Sequence, residues 1–159
     1  MRDRLIDWLE KLLALLMGLL VIDVIWQVFT RFVMNSPSSF TDELARFLLI
    51  WLGLLGAALV SGRRMHLAID LISARFSEQS QNRLAIFIEL VVAVTALSIM
   101  VIGGSILVYT IWNLGQTSTA LQIPLSVVYC IIPLSGLLIT YFALEDITSR
   151  IRKNQLHGD

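Results

Sequence analysis

Cysteine occurs once, at Cys130, and histidine twice, at His66 and His157. One thiol cannot close an internal disulfide, and two histidines without cysteine or carboxylate help do not make the usual structural zinc site. Charge is also scarce: Asp, Glu, Lys and Arg make up 15% of the 159 residues, and 12 basic against 12 acidic side chains leave a net charge of zero. No global field exists to attract nucleic acid, which is not expected as a partner. The sequence has no Gly-rich phosphate loop and no H-E-x-x-H pair. It also lacks the facing intramembrane histidines of a b-type haem subunit and the cysteine pair of a membrane thiol oxidoreductase. An enzyme is therefore not expected, nor is any cofactor in this chain.

Apolar residues are what the sequence has in excess: 57% of the chain is hydrophobic and the mean hydropathy is +0.79. A soluble domain of this size could not bury that much apolar surface. Four long runs, at about 12–34, 41–61, 84–112 and 124–144, each approach or exceed the roughly 20 residues that cross a bilayer as a helix. The expected fold class is all-α integral membrane, one membrane domain over 1–159. Met1 to Val21 has the charged head and apolar body of a signal peptide. It also carries Asp3, Asp7 and Glu10 and lacks a small-residue cleavage site, so it reads as an uncleaved first helix.

Two amphipathic stretches add interfacial helices to this expectation and make membrane lipids immediate partners. In the N-terminal stretch Leu5, Trp8, Leu9 and Leu12 share one face. In the middle loop Met65, Ala68, Ile69, Ile72 and Phe76 oppose His66, Asp70 and Ser73. Ten of the 12 Lys and Arg residues lie before the first run, between the second and third, or after the fourth. The positive-inside rule then places both termini and the middle loop in the cytoplasm. Asn35 to Ser38 reads as a tight outer turn, Thr41 as the N-cap of the second helix, Ser77 as the start of the third and Pro124 as the first turn of the fourth. Pro133 is expected to kink the fourth helix.

Intramembrane charges are the usual markers of function. Asp23, Gln27 and Arg31 form a stripe at i, i+4 and i+8 on the first helix. Asp23 and Arg46 have depths about 5 Å apart at 1.5 Å per residue, within the reach of an arginine. They are expected to form an intramembrane ion pair, with a partner-facing contact or a proton or ion relay as the alternatives. Glu89 reads either as a buried acid or, preferentially, as a residue near the cytoplasmic headgroups beside Arg83 or the surface helix. Gly53, Gly56 and Ala57 beside Trp51, and Ser98, Gly103, Gly104 and Ser105 on the third helix, offer small-residue surfaces for close helix contact. That is more packing surface than a four-helix bundle needs.

Four stretches carry a resemblance: D-E-L-A-R-F-L-L-I-W-L-G-L-L-G-A at 42–57, H-L-A-I-D-L-I at 66–72, L-G-Q-T-S-T-A-L-Q-I-P at 114–124 and V-Y-C-I-I-P-L at 128–134. In this order they resemble the small membrane subunit (DctQ type) of tripartite ATP-independent periplasmic (TRAP) transporters, along almost the whole chain. The sequence departs from the family's common proline at Thr119 and common glycine at Gln122. The resemblance implies a bacterial inner-membrane scaffold subunit in a sodium-coupled secondary transporter that imports an organic acid. Its partners would be a large membrane subunit, which holds the sodium, and a periplasmic substrate-binding protein. It also implies that Asp42, Glu43, Arg46, Trp51, Gly53 and Gly56 serve the large-subunit interface or the structure. Gln116, Thr117, Ser118 and Pro124 would help dock the receptor. Two other readings of the residues stay open: a self-sufficient homodimeric four-helix proton-coupled transporter, and an assembly factor for a membrane complex.

Overall fold

In a computed structural model, residues 2–36, 38–63 and 78–156 are described. Four helical segments are long and apolar enough to cross a membrane: Arg2–Phe32, Ser39–Gly62, Ser80–Asn113 and Leu125–Arg152. The first two are the helices α1 (Arg2–Phe32) and α2 (Ser39–Gly62). The third contains α3 (Glu78–Thr95), an eight-residue π-helical stretch (Ala96–Gly103) and α4 (Gly104–Asn113). The fourth contains α5 (Leu125–Tyr129) and α6 (Ile131–Leu156). The expected middle-loop interfacial helix and Ser77 lie outside the described residues.

The helices pack in the order α1, α2, α6, α3, with α1 and the third span at the two ends. The fourth span is the centre: 39% of its most apolar window is buried, against 17% for α1. On α1 the buried residues Leu9, Leu16, Asp23 and Thr30 recur every seven positions, and on α2 Thr41, Leu55 and Gly62 fall on the same repeat. A seven-residue repeat keeps one seam of each helix against its neighbour along their length. Ion and hydrogen bonds pin both ends of this antiparallel pair. Arg63 Nη2 lies 2.5 Å from Glu10 Oε1, and Gln27 Nε2 donates to Asp42 Oδ1 at 3.3 Å.

The N-terminal stretch is not a separate surface helix. It is the first third of α1, and Leu9 is fully buried in a cluster with Leu16, Leu55, Ile131 and Phe142, against which Leu5 and Leu12 also pack. Of its apolar stripe, Leu5, Leu9 and Leu12 pack inside the chain, whereas Trp8 is exposed. α2 starts earlier than expected. Ser38 is extended at the N-cap position, and Thr41 sits inside the first turn with its hydroxyl donating to Ser38 O at 3.0 Å.

Pro133 has the anticipated effect, expressed as a break. The helix is interrupted at Cys130, between α5 and α6. Two glycines then let the third span approach this region. A Cβ on Gly104 would lie 2.8 Å from Ile132 Cγ2, and one on Gly136 would lie 2.6 Å from Met100 Cβ in the π-helical stretch. Both distances are below what atoms tolerate, so the close approach requires glycine. Glu89, on α3, is buried within the chain, with 1% of its surface exposed, as the buried-acid reading has it.

Candidate partner-binding surfaces

At one end of the stack the loop between α4 and α5 folds back on itself. Gly115, at φ 60°, ends α4 in the left-handed conformation, and Gln116 N donates to Ile111 O at 3.3 Å to cap the helix. Thr117 and Pro124 form an antiparallel bridge. Ser118 N donates to Ile123 O at 2.8 Å, and Leu125 N to Gln116 O at 3.0 Å. Gln122 also has positive φ, 56°, and its Nε2 donates to Thr119 O at 3.1 Å. Glycine, which the resemblance leads one to expect here, is the residue for which a left-handed backbone carries no steric cost. The departure is thus accommodated by strain and one side-chain hydrogen bond.

Glu43 holds the loop in place. Its Oε2 accepts from Ser118 Oγ at 3.0 Å, Ala120 N at 2.8 Å and Leu121 N at 2.9 Å, while Oε1 accepts from Thr119 N at 3.1 Å. Successive backbone N–H groups around one carboxylate make an anion-binding concavity, and α2 fills it from within the chain. Both oxygens are spent on this contact. Trp51 is likewise turned inward: its Nε1 donates to Val128 O at 3.1 Å, tying α2 to α5. Of the loop positions, Ser118 is buried, while Gln116, Thr117 and Pro124 are exposed.

The expected Asp23–Arg46 pair is not formed. Arg46 Nη2 lies 2.5 Å from Asp42 Oδ2, and Asp23 Oδ2 has no hydrogen-bond partner among the described residues. The reason is rotational. Asp23 lies on the α1 seam, whereas at about 100° per residue Arg46 is about 160° around α2 from Leu48, which lies midway between the seam residues Thr41 and Leu55. Similar depth along two helices does not bring residues together when one points away. The structure therefore sorts the α2 candidates into two sets. Glu43 and Trp51 bind within the chain, whereas Arg46 and Gly53 face outward and Asp42 and Gly56 are half-exposed.

At the opposite end lies a cluster that sequence reasoning missed. Arg2 Nε and Nη2 donate to Gly62 O at 3.0 and 2.6 Å, and its Nη1 and Nη2 bind Asp146. The guanidinium sits 5.7 Å from the centre of the Phe142 ring. A Cβ on Gly62 would press on that ring at 3.0 Å. One side chain thus joins the start of α1, the end of α2 and the middle of α6. The signal for it in the sequence is the pair of acids, Glu145 and Asp146, that follows the fourth apolar run just ahead of its basic residues.

Over residues 20–153 the chain matches the family described as Tripartite ATP-independent periplasmic transporters, DctQ component. It is 32% identical over 104 residues to the Sialic acid TRAP transporter small permease protein SiaQ of Vibrio cholerae serotype O1, covering 65% of this chain and 60% of the relative. A Putative TRAP transporter small permease protein of Haemophilus influenzae is 25% identical over 143 residues, 90% of this chain and 87% of that one. The Isethionate TRAP transporter permease protein DctMQ of Oleidesulfovibrio alaskensis is 29% identical over 118 residues, 74% of this chain but 18% of that protein. The chain thus spans under two thirds of the Vibrio relative and under a fifth of the Oleidesulfovibrio one. With four spanning helices and a family match over most of its length, this multi-pass membrane protein belongs to the DctQ component family of TRAP transporters.

Proposed function

We propose that this chain is the static scaffold subunit of a sodium-coupled TRAP transporter that imports an organic acid. A periplasmic binding protein delivers the substrate, and a larger membrane subunit carries substrate and sodium. The observation that carries this reading is the open packing order. Helices arranged α1, α2, α6, α3 leave long outward faces on α1, α2 and the third span, as suits a component that adds to another membrane body. The relatives support the class of cargo: one is named for sialic acid and one for isethionate, both organic acids. In the second, the matched stretch is a small part of a longer permease protein.

The ten-to-two division of basic residues supports an orientation in the bacterial inner membrane with the Arg2–Asp146 end in the cytoplasm and the Glu43 loop in the periplasm. In a Cys130→Ala background, Gln116→Cys should react with an impermeant thiol reagent from the periplasmic side and Asn154→Cys should not. The test of function is reconstitution of the large subunit and the receptor with and without this chain. Substrate uptake should require it. Full uptake in its absence, or saturable substrate binding by this chain alone, would overturn the reading.

A further inference from the structure

The seam between α1 and α2 changes character along its length. Toward the end that carries the Glu43 loop it is polar. Thr30 and Thr41 are buried there, Gln27 Nε2 reaches Asp42 Oδ1 at 3.3 Å, and Asp23 is 7% exposed. Toward the other end Leu16 and Leu9 pack with Leu55. Between Leu12 and Ile22 on α1 no side chain is polar, and between Phe47 and Val60 on α2 the one polar group, Trp51 Nε1, is already bound to Val128 O. The next polar contact is the Glu10–Arg63 pair, about 20 Å from Asp23 at about 1.5 Å per residue.

Asp23 ends the polar part. Its Oδ2 is buried and has no hydrogen-bond partner among the described residues. Gln27 is the next polar side chain on the same side of α1, one turn away, a spacing that puts Cβ atoms about 5 to 6 Å apart. Its amide is turned to Asp42 and leaves that interval open. Two hydrogen bonds of about 2.8 Å, in and out of one water molecule, cover about the same distance. The packing of α2 on α1 keeps groups from outside the chain away from this carboxyl. In hydrocarbon a buried polar atom is satisfied by protein or by bound water.

We propose that the outer part of the α1–α2 seam is a blind inlet for water, which enters from the loop end, binds between Gln27 and Asp23 Oδ2, and goes no further. Gln27 keeps an acceptor oxygen and a second N–H for this molecule, so the site offers two polar neighbours, enough to hold a buried water. Past Asp23 the seam gives a second water nothing to bind. Asp23 therefore exchanges its proton with the medium at the loop end alone, and the seam is no path across the membrane. One water fills one of about four acceptor positions on a carboxylate, so the layer still costs stability relative to leucine. The inlet is defined by the loop and does not depend on which way the chain lies in the membrane.

Two measurements on the full chain in lipid vesicles test this. Brief X-ray irradiation in oxygen-18 water tags side chains that touch bound water. Label is expected on Leu48, which lies midway along the α2 seam as Asp23 does on α1, and on neither Leu16 nor Leu55. In Asp23→Leu the Leu48 label should drop by more than about tenfold, as the loss of a polar partner in an apolar seam implies. The second measurement uses silver ions against Asp23→Cys in a Cys130→Ala background. The thiol should be blocked from the side on which Gln116→Cys reacts and at least about tenfold more slowly from the other. Adding Gln27→Leu should slow it by more than about tenfold. Leu16→Cys should react from neither side. Thermal melting confirms that each variant is folded, and the wild-type irradiation needs no substitution. No label on Leu48, or the same label in Asp23→Leu, overturns the bound water. Equal silver rates from both sides, or none from either, overturn the inlet. Gln116→Cys reacting from the cytoplasm would overturn the orientation above and leave the inlet standing.

Discussion

Arg2 and Asp146, 144 residues apart in sequence, form a direct ion pair that closes one end of the helix stack. Only 13% of the Arg2 side chain and 2% of the Asp146 side chain are exposed, so the pair is largely desolvated. Arg2→Ala removes the buried Arg2–Asp146 ion pair and the two hydrogen bonds to Gly62 O. Stability should fall by about 3 kcal/mol, the lower end for a broken buried pair. Arg2→Leu with Asp146→Leu should cost clearly less than the two single changes added together. Thermal unfolding in detergent checks both, and simple additivity would show that the pair is not coupled.

The Glu43 contact predicts a local effect. Glu43→Gln removes the charge and turns one of the two acceptor oxygens into an NH2 group, so the bonds from Thr119 N at Oε1 and from Ala120 N and Leu121 N at Oε2 are lost or weakened. Hydrogen exchange at these three positions should accelerate while exchange in α6 stays unchanged. Unaltered protection would mean that the Thr117–Pro124 bridge alone holds the loop.

Glycine positions separate internal from external contacts. Gly136→Ala drives a methyl group into Met100 and should cost about 1 to 3 kcal/mol, as overpacking does. Gly53→Ala in the isolated chain meets open space and should be neutral or gain up to about 1 kcal/mol of helix propensity. Equal losses for both variants, measured by thermal unfolding, would contradict the packing described. Gln122→Gly relieves a left-handed side chain but removes its bond to Thr119 O, so stability should stay level or rise by about 1 kcal/mol.

The spanning helices were legible because hydropathy over some 20 residues is a one-dimensional signal that needs no partner. The break near Pro133 was legible because proline removes a backbone donor wherever it stands. Side-chain pairings were not. Asp23 and Arg46 match in depth but not in direction, since rotation about each axis is fixed only when the helices choose their seams. Arg2 counts in the sequence only as one of the basic residues before the first apolar run, because nothing local distinguishes an arginine bound for headgroups from one that reaches Asp146. Glu43 was chosen through family resemblance and not for the loop it binds. Its four donors lie 75 to 78 residues away, and three are backbone groups with no sequence signature.

Asp23 occupies a seam position between Leu16 and Thr30, is 7% exposed, and has an oxygen without a hydrogen-bond partner among the described residues. A polar group in such a layer can fix helix register at a cost in stability. It can instead carry protons if transport depends on it. The two roles separate experimentally. Asp23→Leu restores an apolar layer and should raise stability by about 1 to 3 kcal/mol, the cost of an unsatisfied buried polar atom. Asp23→Asn keeps the shape and removes the charge. If Asp23 is a register residue, the Asn variant should assemble with the large subunit and sustain uptake across the working pH range. Normal assembly with uptake abolished, or with an altered pH profile, would assign Asp23 to a relay instead.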